Sequence, residues 1–193
     1  MTLDRTKGAR FGLAVLGAAA WLTPAAAAAA QPAYAQPSLP SDPLSTNLRI
    51  LADSPHNVGA LIGAGKAALE LGDAQGALTF FARAEQDVPR DGWVKKWEGS
   101  ALVQLEQPAA ALKFFRDAIS LGVPDAAVAG DRGLAWDISG DPRRAQRDYR
   151  IALASGNDPE IVRRLALSLA ISGERQPALQ LLQDQLQRRD RAA

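Results

Sequence analysis

The chain has 193 residues, 47% of them apolar, and a formal charge of +1. That length accommodates one domain and a leader, and near-neutral charge argues against nucleic acid or an anionic membrane surface as the main partner. No cysteine is present, which excludes disulfides, thiolate metal sites, cysteine nucleophiles and a lipid-bearing N-terminal cysteine.

Residues 1–35 read as a secretory signal. Arg5, Lys7 and Arg10 precede an apolar run from Phe11 to Leu22, and a long alanine tract comes next. Ala33-Tyr34-Ala35 fits the small-x-small rule for cleavage, with Ala28-Ala29-Ala30 as the alternative. The strongly apolar run is shorter than the ~20 residues of a spanning helix, which favours removal over retention as an anchor. The expected product is a periplasmic or secreted protein with no stable membrane anchor. Abundant Ala, Gly, Pro and Arg fit a GC-rich bacterial gene.

Residues 36–43 carry Pro37, Pro40 and Pro43 with no apolar period, and are expected to form an extended linker. Residues 44–53, with Leu44, Leu48, Ile50 and Leu51, predict an isolated helix closing the N-terminal end of the domain. Pro55 lies 34 residues before Pro89, the same offset that recurs downstream.

From residue 56 onward the chain repeats itself. Gly72-Asp73-Ala74-Gln75-Gly76-Ala77 returns as Glu106-Gln107-Pro108-Ala109-Ala110-Ala111, as Gly140-Asp141-Pro142-Arg143-Arg144-Ala145, and as Gly173-Glu174-Arg175-Gln176-Pro177-Ala178. Ala77, Ala111, Ala145 and Ala178 are spaced by 34, 34 and 33 residues. A small residue (Gly65, Gly99, Gly133, Ala166) precedes each by twelve, so two landmarks keep one period. Repeats fall at about 58–91, 92–125, 126–158 and 159–192, within a domain spanning 44–193. Eight paired helices are predicted, near 57–71 and 74–88, 92–105 and 108–121, 125–139 and 142–155, and 159–172 and 175–189. Gly72 and Gly140 suit the left-handed end of a helix, and Asp73 and Asp141 suit the cap of the next. Glu106 departs from this rule and predicts a differently built turn. Phe81, Phe115, Tyr149 and Leu182 are the expected fillers between neighbouring pairs.

This pattern resembles the tetratricopeptide repeat (TPR): a small residue in a first helix, then Ala, an aromatic and Ala in a second helix, and a late Pro. The first full copy supplies Gly65, Ala77, Phe81, Ala84 and Pro89. Leu61, Lys95, Ala129 and Val162 stand where the signature has Trp, and Gln185 where the other copies have Ala. The resemblance implies an all-α, right-handed solenoid of about four helix-turn-helix repeats, whose first helices line a concave groove. It also implies a non-enzymatic scaffold for a protein or peptide partner. Leu165 to Gly173 is further similar to TPR proteins of Tad/Flp pilus assembly, many of which are lipoproteins. The alternative is an accessory interaction domain of an envelope or cell-wall enzyme, or of a wall-binding protein.

Chemistry beyond binding finds little support in the residues. The one histidine, His56, sits in a turn, and no glycine-rich loop follows a predicted strand. Carboxylates are scattered singly among Arg and Lys, the pattern of solvated faces. Neither a metal nor a cofactor is expected. On an ideal helix, Trp93, Trp97, Ser100 and Gln104 share one face, and Leu102 points the opposite way. Trp136 matches Leu102 in the repeat and is expected in the core. Trp93 and Trp97 either open onto the groove or pack against an adjacent helix. Lys66, Lys96, Asp137 and Arg163 are the charged candidates for groove-side positions.

Overall fold

The computed structural model describes residues 42–192, so the expected leader and residues 36–41 of the expected linker lie outside the described residues. Nine α-helices make up this part of the chain: α1 (Pro43–Asp53), α2 (Val58–Glu70), α3 (Ala74–Asp87), α4 (Gly92–Gln104), α5 (Pro108–Ser120), α6 (Asp125–Ile138), α7 (Pro142–Ala154), α8 (Pro159–Ile171) and α9 (Arg175–Ala192). They are the only regular elements among the described residues, and they build an all-α solenoid. Pro43, expected at the end of the linker, opens α1 instead, where proline loses no helical hydrogen bond. Asp42 caps that helix by accepting from the Ser45 amide at 2.8 Å.

Helices α2 and α3, α4 and α5, α6 and α7, and α8 and α9 pack as antiparallel pairs, and each pair packs on the next. Successive first helices touch one another, whereas successive second helices do not. Helices α2, α4, α6 and α8 therefore line the inner face. Each of the first three pairs is held by a ring set against a helix backbone. Phe81, Phe115 and Tyr149 are fully buried, each opposite the glycine sixteen residues earlier. A Cβ at Gly99 would stand 2.6 Å from Phe115 Cε1, and one at Gly133 would stand 2.7 Å from Tyr149 Cε1. The last pair lacks the ring. Leu182, expected to fill that place, is exposed, and Ala178 and Leu181 pack against the core instead.

Turns between paired helices share one hydrogen-bond pattern, including the one at Glu106. The Glu106 amide donates to Val103 O at 3.0 Å and the Gln107 amide to Leu102 O at 2.9 Å, matching Gly72 and Asp73 on Leu69 O and Ala68 O. Glu106 achieves this at φ +55°, beside +81° for Gly72 and +79° for Gly140. The second turn is thus built like the others, against expectation, because tertiary packing imposes the left-handed conformation on a residue that resists it. Gln107 makes no side-chain cap, whereas Asp73 and Asp141 both do.

Not every charge is a solvated one, and two clusters correct that expectation. Arg132 on α6 grips the buried Asp148 of α7 through Nε and Nη2 at 2.7 and 3.0 Å, and reaches Asp125 at 2.7 Å. Burial opposes the guanidinium charge, yet the bonds to Asp148 and Asp125 hold its proton more tightly than usual. Between α3 and α4, Lys95 pairs with Glu85 and stands 3.4 Å from Glu98 Oε2, which gains no hydrogen bond. Burial pushes the Glu98 carboxyl up to about 7; the Lys95 ammonium opposes this and the Glu85 carboxylate adds to it.

This packing generates three measurable outcomes. Glu106→Gly relieves a left-handed conformation worth about 1 kcal/mol, raising Tm by about 2–4 °C in a thermal melt; an unchanged or lower Tm refutes strain at that turn. Gly99→Ala gains about 1 kcal/mol of helix propensity but forces Phe115 aside at a cost of ~1–3 kcal/mol. A lowered urea midpoint is expected, and a raised one would mean the ring has room to move. Glu98 binds its proton more tightly folded than unfolded, so stability falls as pH rises from the ordinary 4.5 to about 7. Glu98→Gln should therefore melt higher than the parent at pH 8, with the gap closing by pH 5, a scale set by about 4.5 and about 7. A gap independent of pH would assign the effect to packing alone.

Candidate interaction groove

The repeat period puts equivalent residues of α2, α4, α6 and α8 in rows across the inner face. One row is Lys66, Ser100, Leu134 and Leu167. A second, one turn further along each helix, is Glu70, Gln104, Ile138 and Ile171. Both rows change from polar to aliphatic between α4 and α6. At the aliphatic end, Ile138 is 41% exposed, Leu167 62% and Ile171 75%. Between α6 and α8, Leu167 and Ile171 border a cleft of about 320 Å³ that Leu134, Pro142, Tyr149 and Arg164 also line, with Asp137 in its wall.

The polar half is organised around Trp97. Its ring stacks on Phe81 with centroids 6.5 Å apart and planes at 21°, so it belongs to the wall between the first two repeats. Two ammonium groups lie over the indole, Lys66 Nζ at 4.8 Å and Lys96 Nζ at 3.5 Å from the ring centroid. Such placement favours cation–π attraction. Lys96 is only 8% exposed and pairs with Asp131 Oδ2 at 3.2 Å, an oxygen that also accepts from the Ser100 hydroxyl at 2.6 Å. Lys66 is exposed, and among the described residues no carboxylate stands within ion-pair distance of it.

The sequence candidates thus separate. Lys66, Lys96 and Trp97 come together. Trp93 is 48% exposed but lies at the groove's edge, lining a cleft of about 620 Å³ with Val88, Pro89, Leu121 and Val123. Of the two indoles, Trp97 is the more covered, packed on Phe81, while Trp93 keeps about half its surface in solvent. Lys96 corrects the picture of a free flanking cation, because its charge is already paired with Asp131. Asp137 likewise faces inward, accepting from Tyr149 Oη at 2.9 Å and Ser168 Oγ at 2.7 Å. Burial pushes its carboxyl above the usual range, while these two bonds oppose the shift. Burial and the Asp137 charge together push the Tyr149 phenol well above its ordinary range.

Arg163 bonds Glu160 Oε2 of its own helix through Nε at 3.1 Å. It shares the register of Lys96 and Gly130, the side of each first helix that meets the next repeat. In the last repeat that side borders a cleft of about 640 Å³ with Leu182, Leu186, Arg188 and Arg189. Its neighbour Arg164 is the groove cation, bonded to Glu160 Oε1 at 3.0 Å and 3.9 Å from Asp131 Oδ1. Sequence reasoning missed Leu134, Ile138, Leu167 and Ile171. Applying the repeat period to Ser100 and Gln104 would have found all four. Trp136, expected in the core, is partly buried against it, with Arg144 over the ring at 4.7 Å. His56 is exposed beside Asp87 at 3.1 Å, and the helix cap next to it is supplied by Asn57. Among the described residues no cluster of His, Asp and Glu is placed to hold a metal, and no helix is long and apolar enough to cross a membrane.

No protein-family model matches the chain, and no curated protein matches it. Solved structures do resemble it. TTC0263, a thermophilic TPR protein of Thermus thermophilus, superposes with a TM-score of 0.67 at 24% identity, over 75% of this chain and 80% of that one. MamA from Desulfovibrio magneticus RS-1 gives 0.59 at 19% identity, over 75% and 82%. YrrB, described as a TPR protein with an unusual peptide-binding site, gives 0.51 at 22% identity, over 72% and 73%. At these identities the likeness is one of fold, and the fold is that of the TPR solenoids.

Proposed function

We propose that this chain is a non-enzymatic interaction scaffold of the bacterial cell envelope, which takes a protein or peptide partner into its inner groove. The observation that carries this reading is the exposure of Ile138, Leu167 and Ile171 in register on that face, beside a ready cleft. Their solvent-facing aliphatic surface is left unused by the fold, and its burial by a partner is favourable by about 25 cal/mol per Å². Trp93, Trp97 and Lys66 extend the contact surface towards the first repeats. The peptide-binding site of YrrB, a protein of similar fold, supports the same use of this architecture. Export rests on the basic, apolar and small-x-small pattern of residues 1–35. A role in pilus or secretion assembly rests on the similarity of Leu165 to Gly173 to Tad/Flp proteins.

One experiment addresses both place and function. The tagged chain is recovered from the periplasmic fraction after in vivo crosslinking, its N-terminus is sequenced, and its partners are compared with those of Leu167→Asp/Ile171→Asp. A mature N-terminus at Gln36 or Gln31 is expected. A discrete crosslinked partner should appear with the parent and disappear in the double variant, whose circular dichroism stays parental because both positions are solvent-facing. Intact Met1 protein in the cytoplasm overturns export. An undiminished crosslink in the folded double variant overturns the groove.

A further inference from the structure

The inner face carries a lengthwise polarity that goes beyond a generic binding groove. In both rows the side chains change character between the second and third repeats, from Lys66 and Ser100 to Leu134 and Leu167, and from Glu70 and Gln104 to Ile138 and Ile171. The pairing of charges sharpens the contrast. Asp131 is occupied by Lys96 and Ser100, Asp137 by Tyr149 and Ser168, and Glu160 by Arg163 and Arg164. At the first-repeat end of the groove the Lys66 ammonium lies above Trp97, held by the ring rather than by a carboxylate among the described residues. Glu70 is exposed one turn further along α2 and makes no ion pair with Lys66 among the described residues. Among the described residues, an incoming segment therefore meets two charges without ion-pair partners on α2, the Lys66 ammonium and the Glu70 carboxylate one turn further on, and an acid finds its place at Lys66.

The two features also lie at a usable distance. Neighbouring packed helices stand about 8–10 Å apart, so the cation between α2 and α4 and the cleft between α6 and α8, two helix spacings on, are separated by about 18 Å. An extended chain covers that in about five residues at ~3.3 Å each. Resting on the groove reading above, we infer that the chain selects an extended segment of another protein bearing one acidic side chain and, about five residues away, one bulky aliphatic side chain. The acid lies at Lys66 and Trp97; the aliphatic side chain fills the cleft formed by Leu134, Tyr149, Leu167 and Ile171. The cation sets where along the groove the segment sits, and the cleft supplies the buried area. An acidic contact at an exposed lysine also makes binding weaken with added salt.

Random linear peptides displayed on phage and panned on the immobilised full chain test this directly. Enriched peptides should share Asp or Glu separated by about five residues from Leu, Ile, Met or Phe. Panning on Lys66→Glu should exchange the acidic preference for a basic one and keep the aliphatic preference. Panning on Leu167→Asp should lose the aliphatic preference. A synthetic selected peptide should bind Lys66→Glu about tenfold more weakly than the parent, in line with loss of one charge-assisted contact. Enriched peptides without the paired pattern, but dependent on Leu167 and Ile171, overturn the inference and leave the groove reading standing. Peptides that bind Leu167→Asp/Ile171→Asp as well as the parent overturn both, as does a failure to enrich any sequence. Lys66 and Leu167 are exposed, so neither variant confuses lost binding with lost folding, and circular dichroism verifies it.

Discussion

The contact of an aromatic ring with a glycine backbone, sixteen residues apart, sets the geometry of the first three repeats. Phe81, Phe115 and Tyr149 lie where a Cβ on Gly65, Gly99 or Gly133 would have to be. The ring can approach that closely only because the facing helix has no side chain there, and a ring so placed fixes both spacing and rotation of the pair. Glycine within a helix costs about 1 kcal/mol relative to alanine, and each of these repeats accepts that cost in order to seat its ring. The fourth repeat has Ala166 and Leu182 at the same positions, and Leu182 turns outward. A small change on the glycine side and the loss of the ring occur together, as a shared volume requires.

Fixed rotation within each pair is what makes the inner face legible as rows. When every first helix presents the same register to the groove, the chemistry of the groove is the sequence read every 34 residues or so. The same constraint sorts the charges. Residues in the register of Lys96 and Gly130 turn towards the following repeat, so Lys96 finds Asp131 of α6 and becomes buried. Arg163 holds that register in the last repeat, where it borders a cleft with Leu182, Leu186, Arg188 and Arg189 of α9 instead. Identical positions thus have different electrostatic fates according to what the next repeat offers.

This explains which parts of the molecule could be read from the sequence. The helices were legible almost to the residue, because Gly72, Gly140, Asp73 and Asp141 state their turns through backbone conformation and capping. Glu106 was not, since a left-handed glutamate is chosen by the packing around it and not by its own preference. The Arg132–Asp148 and Lys95–Glu98 clusters were hidden for a related reason. A charge pattern along one helix does not reveal that the opposing surface is a neighbouring helix instead of water. Among the groove candidates, a helical projection put Trp97 off the packing stripe, whereas the ring packs against the first core on Phe81. Whether an indole meets solvent or Phe81 depends on where the preceding repeat sits. Lys66, Lys96 and Asp137 were chosen by charge from three different registers, which mixed groove positions with packing positions.

Keeping to a single register removes that ambiguity and changes what the groove looks like. Chosen by charge, it is a polar surface with two tryptophans. Chosen by register, it is half polar and half aliphatic, with the boundary between the second and third repeats. Among the described residues, the charged groups near it then divide into those already satisfied, such as Asp131 and Asp137, and those on α2 without an ion pair, the Glu70 carboxylate and the Lys66 ammonium over its ring. A cation–π contact positions Lys66 without neutralising it, so the charge stays available to a partner in a way that an ion pair would not allow. Electrostatic complementarity of that kind governs orientation and encounter rate more than affinity, whereas buried aliphatic area governs residence. A repeat scaffold that separates the two along its groove can therefore hold a partner segment in one direction only.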